Sequence, residues 1–403
     1  MSDQPHPSPL DTWTASEKQR SGLDQAGMAT PAARASAGKP QLLPSPGLAG
    51  WLAESGGSLA FTTYQTGRLF FLGSHIDGTL YAHERQIGSA MGLAIDADKL
   101  WVGGRDRIWR LSNTGADKID GQQYDAIYMP RANYLVGRSN THDVIADVRF
   151  GGKHYPLLYA NTEFSCVAAP DVHYTFRPVW APAFISALAA EDRCHLNGIC
   201  ARDGELAYAT ACARTDTASG WRDAKSGGGI LIDIGAGEVV CEGLSMPHSP
   251  RWHQGKLWLI NSGEAQLGYV DFARRTFVPV ALCQGFARGL AFVGKYAVVA
   301  LSRLRSHSGG LVGGINLLDR LATHGYYQRC GLLVIDLDTG RPAHWLTIEG
   351  QVTELFDVAF LAGLRRPYTP GFREPEQHLW RIDLPPGPWN MAGPDPDGAD
   401  APC

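Results

Sequence analysis

Three histidines, His142, His195 and His248, follow one another at intervals of 53 residues, each just ahead of a short apolar run of β character. Imidazole is a common ligand of zinc, copper and iron, and three neutral rings around one open position would suit a catalytic divalent transition metal. Other reactive groups stand beside comparable runs: Arg288 in FARGLAF, Arg303 and Arg305 in LSRLR, Glu354 and Asp357 in TELFDVAF, and Asn197 in HLNG. Guanidinium forks hold carboxylates and phosphates. Carboxylates beside imidazoles orient them or move protons. The pattern therefore predicts a metal held by His142, His195 and His248. It places substrate contacts at Arg288, Arg303 and Asn197, and proton transfer at Asp357 or Glu354. A plainer reading stands beside it. Repeated β units often carry a histidine that only bonds a neighbouring unit, and Arg288 would then bridge to Asp357 or Glu354.

Residues so far apart meet only if the chain returns repeatedly to one axis. MGLAIDADKLWVGGRDRIWRLS (91–112), LNGICARDGELAYATA (196–211), HSPRWHQGKLWLINSG (248–263) and ARGLAFVGKYAVVALS (287–302) share one plan of apolar strand, Gly or Asp turn, and second strand. HDVIADVRFGGKHYPLLYAN (142–161) fits with a longer turn. Repeats of this length and strand content predict an all-β chain, a single β-propeller of about six four-stranded blades. Inner strands would begin near residues 92, 143, 198, 249, 289 and 357. Residues 58–86 lack an inner strand and 356–365 lack outer ones, so pairing of these N- and C-terminal strands would close the ring and remove an open edge.

The 403 residues, with 47 Gly and 25 Pro, suit many short strands and turns. Residues 1–45 are rich in Ser, Pro, Ala and Gly and are expected to be a disordered leader; the propeller spans 46–365, and 366–403 forms a Pro-rich tail. A net charge of −4 argues against a broad nucleic-acid surface. No apolar run reaches membrane-spanning length, and the N-terminus lacks the pattern of a secretory signal. Eight scattered cysteines read as reduced core thiols, so the expected location is cytoplasmic.

Several longer motifs carry a resemblance. DRCHLNGIC (192–200), TDTASGWR (215–222) with the GGGILIDI that follows, SMPHSPRWHQGKLWLINSG (245–263), FARGLAF (286–292) and LSRLR (301–305) resemble a family of bacterial propeller-like conserved hypothetical proteins with a domain of unknown function. The resemblance covers roughly residues 46–365 and implies a propeller, without a reaction. The residues themselves favour a metal-dependent lyase, hydrolase or oxidase acting on a small anionic substrate at the channel mouth. The competing reading is a non-catalytic propeller that binds a small molecule or peptide, or serves as an interaction scaffold.

Overall fold

The computed structural model describes residues 40–304 and 314–370. The chain is mostly β, with antiparallel strands in sets of four. The first set runs Val358–Ala362, Gly57–Thr63, Arg68–Ser74, Leu80–Gln86. The second runs Ala90–Asp96, Lys99–Gly104, Arg107–Asn113, Ala126–Leu135. The third is Val144–Phe150, Lys153–Asn161, Cys166–Ala169, Arg177–Trp180, and the fourth Leu196–Arg202, Glu205–Ala211, Gly229–Asp233, Glu238–Leu244. The fifth is Pro247–His253, Lys256–Asn261, Gln266–Asp271, Thr276–Leu282, and the sixth Phe286–Val293, Tyr296–Ser302, Gly331–Asp336, Arg341–Glu349. The third and fourth sets merge into one sheet through a lone parallel pairing of Arg149 with Glu205.

Alternation along the strands explains the stacking of these sets. Gly57–Thr63 is buried throughout, but Ala60 joins one apolar cluster while Leu59 and Phe61 join another. Leu69 and Phe71 divide from Phe70 and Leu72 in the same way. Each set is thus covered on both faces, and full burial of a leucine or phenylalanine contributes about 1.5–3 kcal/mol.

The first strand of each set touches the first strand of the next, and Val358–Ala362 touches both Phe286–Val293 and Ala90–Asp96. Val358 pairs with Phe61 and Ala362 with Gly57, so residues from the two ends of the described chain share one sheet. Close approach at the centre explains two glycines. A Cβ at Gly92 would lie 2.9 Å from the Asp143 Cα, and one at Gly289 would lie 2.6 Å from the Asp357 Cα.

The ends of the fold differ from expectation. Gln41–Pro44, assigned to the leader, is a strand antiparallel to Leu346–Glu349 at the edge of the sixth set. Pro367–Tyr368, assigned to the tail, pairs in parallel with Ala126–Ile127. Both segments gain backbone partners from sheet edges that composition does not reveal. Arg305 lies outside the described residues. No described helix is long and apolar enough to cross a membrane.

Candidate functional site

The starts of the first strands, and the loops that precede them, surround a cavity of about 520 Å³. His142, His195, His248, Arg288, Arg303 and Glu354 all line it. Asp357 and Asn197 do not.

Two of the imidazoles are anchored alike. His142 Nδ1 lies 2.8 Å from the Asn140 carbonyl and 2.8 Å from Thr162 Oγ1. The Thr162 hydroxyl donates its own proton to the Leu196 carbonyl at 2.6 Å. A carbonyl can only accept, and the hydroxyl proton is already committed, so the proton on this side of the ring belongs to Nδ1. His248 repeats the arrangement: Nδ1 donates to the Met246 carbonyl and to Ser262 Oγ, both at 2.9 Å, and Ser262 donates to the Ala287 carbonyl at 2.6 Å. Leu196 and Ala287 belong to the following set, so each hydroxyl ties one set to the next. Thr62 to the Met91 carbonyl and Ser302 to the Leu355 carbonyl make the same tie without a histidine. Asn140 and Met246, two residues before their histidines, both have left-handed φ near 50°. For a methionine this costs roughly 1–2 kcal/mol, and it turns the carbonyl toward the ring.

His195 is held by a carboxylate instead. Its Nδ1 donates to Asp192 Oδ1 at 2.9 Å and Oδ2 at 3.0 Å, and Asp192 Oδ2 also accepts from Trp221 Nε1 at 2.9 Å. Trp221 packs against the ring, with centroids 4.1 Å apart. The cysteine at the place of Thr162 and Ser262 is Cys212, whose buried thiol is pushed far above its usual range. All three rings therefore commit Nδ1–H to the wall and keep the Nε2 lone pair for the cavity.

Two of the rings are close neighbours. His142 and His195 meet edge to face, with centroids 4.8 Å apart. Burial, followed by the neighbouring His195, holds His142 well below the usual imidazole range. Burial, followed by Arg288, lowers His248 to about 3. Both are neutral at neutral pH. Among the described residues, no group of three or more His, Cys, Asp or Glu side chains is placed to hold a metal ion.

Arg288 reaches the cavity from the sixth set. Its guanidinium stacks on Phe286 at 4.8 Å and Phe356 at 5.4 Å, with Nη1 3.7 Å from Glu354 Oε2. Arg303 follows the next strand of that set and shares the same wall.

The placement of Asp357 corrects its expected proton-transfer role. Its carboxylate accepts the backbone N–H of Leu93 at 2.8 Å and of Val358 at 2.9 Å, and lies 3.7 Å from Arg251. In the segment just ahead of Val358–Ala362, Phe356 lines the cavity and Asp357 does not. Arg251 grips Asp143 through two bonds of 2.8 and 2.9 Å, so two buried acids share one guanidinium. Burial raises Asp357 to about 7, against the pull of Arg251. Asn197 is likewise internal, accepting from Thr210 Oγ1 at 2.9 Å and donating to Cys212 Sγ at 3.4 Å.

Sequence reasoning passed over Asp192, Thr162 and Ser262, and left Trp221 open between core packing and a pocket wall; it lines the cavity. The signals were present: Asp192 lies three residues before His195, and an Asn–Thr or Asn–Ser pair closes the second strand in both YANTE and LINSG.

The family described as a domain of unknown function, DUF4915, matches residues 46–369. No curated protein matches the chain in sequence. Among solved structures, the chain is similar to one in a nidogen/laminin complex, at 12% identity and a TM-score of 0.45, covering 76% of this chain and 99% of that one. It is also similar to a catalytically inactive virginiamycin B lyase from Staphylococcus aureus with quinupristin, at 13% identity and 0.34, covering 65% and 95%. A luciferin-regenerating enzyme is similar at 10% identity and 0.37, covering 78% and 97%.

Proposed function

The chain belongs to the DUF4915 family, whose description assigns no activity, and we propose that it is a closed six-bladed propeller whose central cavity binds a small organic anion and moves a proton on it. The cyclic succession of first strands and the pairing of Val358–Ala362 with Gly57–Thr63 support the closed ring. One observation carries the chemistry. Asp192 takes the Nδ1–H of His195, which leaves Nε2 as a base in the cavity that Arg288 also lines.

In this reading Arg288 holds the substrate anion. Phe286 and Phe356 both lie against the guanidinium, which limits its reorientation. His195 Nε2 accepts a proton from the bound substrate, and Asp192 stabilises the imidazolium that forms. His142 and His248, both neutral, accept hydrogen bonds from substrate N–H or O–H groups. Glu354 takes the acid's place in the wall beside Arg288. Such a set suits a lyase or a hydrolase.

The test uses small carboxylic acids in heavy water with the full chain. Proton-for-deuteron exchange beside the carboxylate, lost in His195→Gln and weakened in Arg288→Lys, is the expected result. If no acid that binds undergoes exchange, the catalytic reading fails.

A second reading comes from the three Nε2 lone pairs. Neutral imidazoles with Nδ1 already bonded are the state in which histidine ligates zinc, copper or iron. Ion binding would require the rings to draw together. Metal content of the purified protein, compared with His142→Ala and His248→Ala, tests this reading. An equal, negligible content in all three removes it.

A further inference from the structure

The cavity mouth carries arginines that the floor site does not use. Arg105 and Arg138 come from the second set and Arg222 from the fourth; all three are exposed, and all three line the cavity. None of them forms an ion pair with a described residue. Arg68, Arg107, Arg149, Arg177 and Arg320, away from the cavity, each hold a carboxylate.

The carboxylates of the cavity wall are already engaged. Glu163 accepts from Asn140 Nδ2, Glu191 from Arg193, Asp192 from His195 and Trp221, and Glu354 faces Arg288. Five arginines and four carboxylates line the cavity, so its wall carries an excess of positive charge within a chain of net charge −4. A cleft with an excess of one sign of charge concentrates ligands of the other.

Arg105 and Arg138 are also placed together by the backbone. The turn that carries Arg105 is bonded to the segment that carries Arg138: Val136 N–H to Asp106 O at 3.0 Å, Asn140 N–H to Arg105 O at 3.0 Å, and Thr141 N–H to Gly104 O at 3.1 Å. The same Asn140 carbonyl anchors His142, so this cationic pair is built on the backbone that sets the imidazole.

We infer that the substrate is a dianion with its two anionic groups at opposite ends, one on Arg288 and Arg303 in the floor and the other on Arg105 and Arg138 at the rim. The middle of the molecule passes Met91, Trp221, Met246 and Phe356, an apolar wall suited to a carbon chain or ring rather than a further charge. The inference rests on the floor anion site proposed above and adds the second anchor.

Calorimetry on the full chain compares hexanoate with hexanedioate, and octanoate with octanedioate. Within each pair the only difference is the second terminal carboxylate. The dianion of at least one pair binds about tenfold more tightly than its monoanion, as one added charge-assisted anchor provides. In the double variant Arg105→Gln, Arg138→Gln that ratio falls close to one. Arg288→Lys weakens both members of the pair together. Equal affinity of monoanion and dianion in both pairs, or a ratio that survives the double variant, overturns the second anchor while leaving the floor site standing. If neither kind of acid binds, the floor site falls and the inference falls with it.

Discussion

Asp192 meets His195 Nδ1 with both carboxylate oxygens, at 2.9 and 3.0 Å, and so settles which ring nitrogen carries the proton. An Asn at position 192 keeps the shape but can offer its NH₂ to the ring and reverse the tautomer. Asp192→Asn is expected to slow proton transfer by about 100-fold or more, while ligand affinity changes only a few-fold. Deuterium exchange and calorimetry on the same preparation measure the two effects separately. Equal losses in both would show that Asp192 serves binding alone.

Thr162 and Ser262 should matter to stability as well as to the site. Thr162→Val leaves the Leu196 carbonyl without its donor, and Ser262→Ala does the same to Ala287. Each is expected to cost about 1–3 kcal/mol, read from urea unfolding. The carbonyls of Asn140 and Met246 remain for the rings, so nitrogen NMR should still show Nδ1–H on His142 and His248. Loss of that tautomer without loss of stability would contradict the arrangement.

Arg251 joins Asp143 to Asp357 at the centre. Arg251→Met leaves Asp143 and Asp357 buried without their cation and is expected to destabilise the fold by about 3–5 kcal/mol. Adding Asp143→Asn removes one stranded charge and should restore part of the loss. If the double variant is no more stable than the single one, the ion cluster is not the reason for the loss.

The pH dependence has two opposed parts. Asp357, raised to about 7 by burial, binds a proton more readily in the folded chain than in the unfolded one. Its contribution to stability is complete below about 4 and is lost as pH rises toward 7. His248, lowered to about 3 by burial, binds its proton less readily when folded. Its contribution is complete above about 6.5 and is lost as pH falls toward 3. Asp357→Asn should therefore remove a decline in stability between pH 4 and 7 that the parent chain carries. Urea unfolding across that range checks it, and an unchanged slope would count against a raised Asp357.

The β character and the positions of the first strands were legible because runs such as MGLAID and FARGLAF alternate between two apolar faces. His142, His195 and His248 stand ahead of such runs, and all three line one cavity. Asn197 was misplaced because one step along a strand reverses the face a side chain presents, and Asp357 because it lies in the segment just ahead of Val358–Ala362, where its neighbour lines the cavity. Phe356, one residue from Asp357, is the side chain that lines the cavity. The even spacing of the histidines is also less regular than it looks. The loop before His195 and the turn around Trp221 are different insertions that happen to equalise the intervals. Partners such as Thr162 lie on the neighbouring strand, and only strand pairing brings them to the ring.

The hydroxyls of Thr162 and Ser262 make recognition and architecture a single property. Each stands midway on a chain of atoms that runs from an imidazole, through the hydroxyl, to the backbone of the adjacent set of strands. Two sets that slip out of step would also release the ring from its fixed proton pattern. Damage at such a seam would then show first as lost chemical selectivity, while the outline of the molecule stayed intact.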